Sequence, residues 1–190
     1  MVKKDAIELI SRELYPLPTN CIEEFEQRAR IRSVHKKEVV VAQGQISNRI
    51  FFVVEGALRA YYLKDGNDIS DWFAFEGEFI CAIQSYFSGL PSPHYIESIE
   101  TSALLEISKA DIQYLSEKYR EFERLANLVT TQTMLRLQER IVSLQFETAQ
   151  QKYLNLLRQR PNIEQRVPLT HIASYLGITI ETLSRIRRGK

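Results

Sequence analysis

Apolar side chains recur at Ile7, Leu9, Ile10 and Leu14, close to a period of 3.6, and the pattern breaks at Pro16 and Pro18. A short helix followed by a turn is expected, because proline lacks the backbone donor and its ring clashes with a helical carbonyl. A second helical stretch is expected from about Thr19 to Ala29. Strand-like runs then follow at Glu38 to Ala42, Ile50 to Val54, Ala57 to Tyr62 and Trp72 to Phe75, and Ile99 to Ile107 supplies a last one. Gly44, Gly56, Gly66 and Gly77 fall at the junctions, and Lys64-Asp65-Gly66-Asn67 reads as a hairpin, since Asp-Gly tolerates the positive φ such a turn needs. Short strands at regular spacing with no helix between them predict a roll or barrel filled by alternate side chains.

From Ser108 the pattern changes, for Gly and Pro are absent until Pro161 and Leu, Gln, Glu and Arg dominate. This is helical sequence. Met134, Leu137, Ile141 and Leu144 repeat with 3-4-3 spacing, the seam of a two-stranded coiled coil, beside a second stripe of Leu125, Leu128, Leu135, Val142 and Phe146. One stripe suffices to dock a helix on its own domain, so the other predicts a partner: the same helix of a second subunit. Gln132 and Glu139 interrupt the second stripe and leave the first as the cleaner seam.

Past Pro161 the chain runs Leu169-Thr170-His171-Ile172-Ala173-Ser174-Tyr175-Leu176-Gly177-Ile178-Thr179-Ile180-Glu181-Thr182-Leu183-Ser184-Arg185-Ile186-Arg187-Arg188. Leu169, Ile172, Ala173 and Leu176 mark one face of a short helix ending at Gly177, which can take the left-handed conformation of a C-terminal cap. Ile178, Leu183 and Ile186 face inward from a second helix that Thr179 is placed to cap. The spacing predicts a helix-turn-helix, with Ala173 small where the helices cross. On the outer face Glu181, Arg185 and Arg188 lie at i, i+4 and i+7. Arg can grip guanine bidentately, Glu can accept from cytosine, and Thr179 and Thr182 can reach phosphates near the helix start.

Charge strengthens this reading. Residues 151–190 hold eight Lys or Arg against Glu164 and Glu181, a balance of +6, leaving −5 over the rest of a chain whose net charge is only +1. A basic segment on an acidic protein is the electrostatic footprint of nucleic-acid binding, since Lys and Arg release counterions condensed on phosphates. At 190 residues the chain is long enough for two small domains, with 44% hydrophobic and 26% charged residues, an ordinary globular balance. No apolar run approaches the length needed to span a bilayer, and the start reads as an amphipathic helix rather than a signal peptide, so a cytoplasmic location is expected. Cys21 and Cys81 lie far apart, away from ligand-like spacings, and are expected to be reduced and structural.

Two other function classes fare worse. A cupin-type metalloenzyme needs several His and a carboxylate converging on a metal, and the chain has only His35, His94 and His171, the last inside the helix-turn-helix. An iron-sulfur sensor needs several cysteines, and no His stands in a recognisable haem setting. No catalytic residues, metal or other cofactor are therefore expected. A ligand-binding or protein-interaction module with a vestigial helix-turn-helix is the alternative.

These motifs resemble those of the Crp/Fnr family of transcription regulators over nearly the whole chain. Gly44, Gly56 and Gly77 with Glu78 resemble the family's β-roll signature, and Leu176-Gly177 through Glu181-Thr182-Leu183-Ser184-Arg185-Ile186 its helix-turn-helix, whose matching Glu and Arg contact bases. The resemblance implies an α+β fold. Residues 1–117 would form a sensory double-stranded β-helix or jelly roll like a cyclic-nucleotide-binding domain, 118–146 a dimerisation helix, and 147–190 the DNA-binding domain. It further implies a homodimer on a pseudo-palindromic operator, with RNA polymerase as a further partner and Gly77, Glu78, Phe79 and Ile80 around a pocket for a small effector of unidentified kind. Three departures qualify it. The Arg-Ser pair that holds the cyclic phosphate in cyclic-AMP binders has no counterpart between Phe87 and Ser98, so a cyclic-AMP response is not expected. Ile180 stands where some members carry a base-reading Arg. The sequence stops at Lys190, so the β-hairpin wing that commonly follows the recognition helix is expected to be absent.

Overall fold

A computed structural model describes residues 3–189. They group into two compact units, Met1–Ala60 with Phe73–Gln132, and Tyr61–Trp72 with Thr133–Lys190.

The first unit opens with helices α1 (Lys3–Glu13) and α2 (Thr19–Arg28). Their apolar faces, Ala6, Ile7, Ile10, Cys21 and Phe25, bury against Phe52, Val54, Leu105 and Ile107 of the roll and against Leu115, Phe122 and Leu125. Phe25 meets Phe122 edge-on at 5.2 Å, the favoured geometry of an aromatic pair. The strands are β1 (Arg30–Val34), β2 (Val39–Val41), β3 (Arg49–Glu55), β4 (Leu58–Lys64), β5 (Asn67–Ala74), β6 (Phe79–Ile80), β7 (Tyr95–Ser98) and β8 (Ser102–Ser108). They form two four-stranded sheets, ordered β1-β8-β3-β6 and β2-β7-β4-β5. The β3/β8 register sets Phe52 opposite Leu105 and Val53 opposite Leu104 and slips between Val53 and Glu55. Gly56 follows that bulge at φ 94°, and a Cβ there would stand 2.2 Å from Ser102 Oγ, so any other residue collides. Ser102 Oγ uses the approach to accept from the Ala57 amide.

Several elements lie outside the sequence expectation. β1, β6 and β7 were not anticipated, and β5 begins five residues before the expected Trp72. The middle is not purely β, because Ile83–Ser88 forms a helix, α3, ended by Gly89 in the left-handed conformation at φ 70°. Six residues are too few to display a helical period, and tertiary bonds hold α3: Ser85 Oγ accepts from the Ser47 amide and Lys109 Nζ donates to the Tyr86 carbonyl. β1 pairs Arg32 with Leu104, a register set by distant sequence.

Helix α4 (Lys109–Lys118) starts where Ser108 caps it, its hydroxyl accepting from the Asp111 amide. Helix α5 (Arg120–Phe146) follows, and its 27 residues span about 40 Å at 1.5 Å per residue. Phe122 and Leu125 near its start belong to the core. No helix among the described residues is long and apolar enough to cross a membrane. Both cysteines are free thiols, with burial raising Cys21 to about 11 and Cys81 to about 12, so they stay protonated at neutral pH.

Candidate nucleic-acid interface

The basic segment packs four helices around a shared apolar core. Thr148 and Gln151 close a reciprocal capping box at the start of α6 (Ala149–Gln159), satisfying two backbone donors that a helix end leaves open. Tyr153 and Leu156 on α6, Ile163 on the short α7 (Ile163–Arg166), Val167, and Ile172, Ala173, Leu176 and Leu183 beyond are all buried. That core fixes α8 (Leu169–Leu176) against α9 (Ile180–Arg188).

The turn between them is built from two residues. Gly177 takes φ 67° and its amide closes on the Ala173 and Ser174 carbonyls; the left-handed conformation costs a non-glycine residue about 1–2 kcal/mol. Thr179 then caps α9, its hydroxyl accepting from the Thr182 amide at 3.2 Å. Of the residues read as base or phosphate contacts, Glu181, Arg185 and Arg188 are exposed on α9, while Thr182 is half-buried and Thr179 is exposed beside it. Glu181's carboxyl is held below the usual range by its own backbone N–H and by a hydrogen bond with Thr179. It is therefore an anionic acceptor at neutral pH. Arg188 Nε donates to the Ser184 carbonyl at 3.4 Å, so α9 presents two guanidinium groups and one carboxylate along one line.

Sequence reasoning left out Arg187. Its Nε lies 2.7 Å from Glu164 Oε1 on α7, and Tyr153 OH donates to the same oxygen at 2.7 Å. Burial first, and then the hydrogen bond to Glu164, push the Tyr153 phenol up to about 12. Nothing in local spacing flags this trio, since Glu164 stands 23 residues before Arg187.

Helix α8 is tied down from another direction. Arg140, on the second half of α5, donates to the Tyr175 carbonyl at 3.1 Å and the Ser70 carbonyl at 3.4 Å, and its guanidinium lies 3.9 Å over the Tyr175 ring. The Ser70 amide donates to Ser174 Oγ at 3.0 Å, and His171 Nε2 stands 3.7 Å from the Asp68 carboxylate. The β4–β5 hairpin, α5 and the first helix of the helix-turn-helix thus share one set of polar contacts.

Along α5 the seam residues Met134, Ile141 and Leu144 are exposed, Met134 by 62%, and Leu137 is half-buried. The second stripe, expected to dock on the chain's own core, does so only at its start: Leu125 is buried, but Leu135, Val142 and Phe146 are exposed, Phe146 by 77%. The helix outruns the core it starts in, so burial changes along its length rather than around its circumference. Of the residues expected around an effector pocket, Gly77 turns at φ 82° and Glu78 is buried with its carboxylate accepting from the Phe75 amide at 3.0 Å. Phe79 packs on Phe52 at 4.9 Å, and Ile80 is buried opposite Phe51 in the β3/β6 register. A buried cation lies outside residues 87–98: Arg59 on β4, with Nη2 2.6 Å from Glu97. Among the described residues no group of His, Cys, Asp and Glu is arranged to hold a metal ion.

The sequence pattern of a cyclic nucleotide-binding domain matches residues 31–119. The nitrogen fixation regulation protein FixK of Rhizobium meliloti is 28% identical over 155 residues, covering 77% of this chain and 68% of FixK. FixK2 of Bradyrhizobium japonicum shares the fold with a TM-score of 0.72 at 20% identity, over 85% of this chain and 83% of FixK2. The regulator CLP of Xanthomonas campestris, described as responsive to c-di-GMP, gives 0.70 at 17% identity over 90% of this chain and 91% of its own. The two structural likenesses carry the α+β fold: antiparallel sheets followed by C-terminal helices.

Proposed function

We propose that this chain, a member of the Crp/Fnr family, is a sequence-specific DNA-binding transcription regulator that works as a homodimer. The observation that carries the reading is the α8–Gly177–Thr179–α9 unit, with Glu181, Arg185 and Arg188 exposed in line on a capped helix. That helix enters the major groove: Arg185 takes guanine O6 and N7, Glu181 accepts from cytosine N4, and Arg188 and Thr182 position the backbone. Thr179 serves as the cap that orients the others. Two copies join along Met134, Leu137, Ile141 and Leu144, because exposed apolar residues at heptad spacing on a helix this long are stabilised by a second helix. The two-fold axis so created implies a pseudo-palindromic operator with half-sites one or more helical turns apart.

In this reading the roll does not answer to cyclic AMP. A buried cyclic phosphate needs a cation, and Arg59, a buried guanidinium in that unit, is already matched by Glu97 at 2.6 Å; displacing a buried ion-pair partner leaves a carboxylate uncompensated. Glu78 spends its carboxylate on its own turn. Selection of genomic fragments by the purified protein tests the function: recovered sites should share a two-fold symmetric consensus, and an unenriched pool would overturn the assignment.

A further inference from the structure

A cleft of about 550 Å³ opens beside α9, lined by Tyr153, Glu164, Ser184, Arg187 and Arg188. Ser184, Arg187 and Arg188 are spaced i, i+3 and i+4, so they share the flank of the helix adjoining the face that carries Glu181, Arg185 and Arg188. Arg188 belongs to both lines. A helix lying in a groove turns its central face to base edges and its flanks to the sugar-phosphate walls. We infer that this cleft is a seat for one backbone phosphate of duplex DNA, with Arg187 as its principal cation. The inference rests on the DNA-reading function proposed above and deepens it.

The site is prepared from below. Tyr153, 1% exposed, donates to Glu164 Oε1, and that oxygen faces Arg187 Nε at 2.7 Å. The carboxylate engages the inner nitrogen of the guanidinium, which leaves the geometry of the outer two fixed for a second acceptor. A guanidinium held this way loses little side-chain freedom when a phosphate arrives, and its planar fork suits two phosphate oxygens. The charge balance agrees: two arginines against one carboxylate leave the lining one positive charge in excess, which a single phosphodiester neutralises. Ser184 adds a hydroxyl donor.

The competing reading is that Arg187 serves only to pin α9 to α7 while offsetting the carbonyl end of the helix dipole. Two substitutions separate the two roles. Binding of the dimer to a short random-sequence duplex is followed from low to moderate salt. Arg187→Ala should lower the slope of log affinity against log salt by about one unit per subunit, the signature of one lost phosphate contact, and Arg187→Lys should restore most of it. Glu164→Gln should keep the wild-type slope and bind the duplex as tightly or more tightly, because a competing carboxylate is gone. If Arg187 were only a pin, both substitutions would weaken binding together without changing the slope, and that result overturns the inference. Should Arg187→Ala fail to fold, a loss of affinity in a folded Glu164→Gln protein overturns it equally. A wild-type protein that binds no duplex at all would instead remove the function on which the inference rests.

Discussion

At the scale of single residues, the proposed interface couples an observed cap, Thr179, to a proposed base contact, Glu181. Glu181 lies in the first turn of α9, next to the cap, and its carboxyl is lowered by its own backbone N–H and then by Thr179. Stabilisation from a depressed carboxylate is present above the unfolded-state value and lost as pH falls through the folded one. The Glu181 carboxyl should therefore titrate by NMR below the 4.5 of a free glutamate, and Thr179→Ala should move that midpoint upward while removing a cap worth about 1 kcal/mol. A Glu181 midpoint at the ordinary value in the wild type would show that this network does not persist in solution. Gly177 and Thr179 were legible in the sequence because each acts within a few residues of itself: a left-handed cap and a side chain reaching the amide three positions on. Arg187 was not legible, because its partners Glu164 and Tyr153 come from helices that only the fold brings near.

At the scale of elements, α5 changes character along its length. Its first turns bury Phe122 and Leu125, and its later turns expose Met134, Ile141 and Leu144. Arg140 lies on that later part and holds Ser70 of the hairpin and Tyr175 of α8. If the exposed seam meets a second copy, the double substitution Leu137→Glu with Ile141→Glu places like charges in a dry contact and should give monomers in sedimentation. A dimer surviving those substitutions would mean that association uses another surface. Long-period elements such as α5 were readable directly, since a helical stripe repeats many times within it. β1, β6 and α3 were not, for they contain two to six residues and owe their form to distant partners such as Leu104 opposite Arg32 and Ser47 against Ser85.

At the scale of the whole molecule, a roll like a cyclic nucleotide-binding domain over residues 31–119 is followed by helices that end in the basic helix α9. The roll's own chemistry argues against a free cyclic nucleotide as the signal, since Arg59 is engaged by Glu97 and no arginine lies between Phe87 and Ser98. Losing a charge-assisted phosphate contact worth about 3 kcal/mol weakens a micromolar site by roughly two orders of magnitude. Calorimetry with cyclic AMP and cyclic GMP should accordingly show no saturable micromolar binding, and such binding would require a phosphate clamp elsewhere in the roll.

Whether α9 reads sequence is tested most directly by comparing affinities at one salt concentration. The purified protein is titrated against a recovered operator and against a scrambled duplex of equal length, with wild type and Arg185→Ala side by side. Wild type should prefer the operator by about 10³ or more. Arg185→Ala should lose about 1–3 kcal/mol on the operator while its affinity for the scrambled duplex stays near wild type. Equal affinity of the wild type for both duplexes, or equal losses on both for Arg185→Ala, would mean that α9 does not read bases.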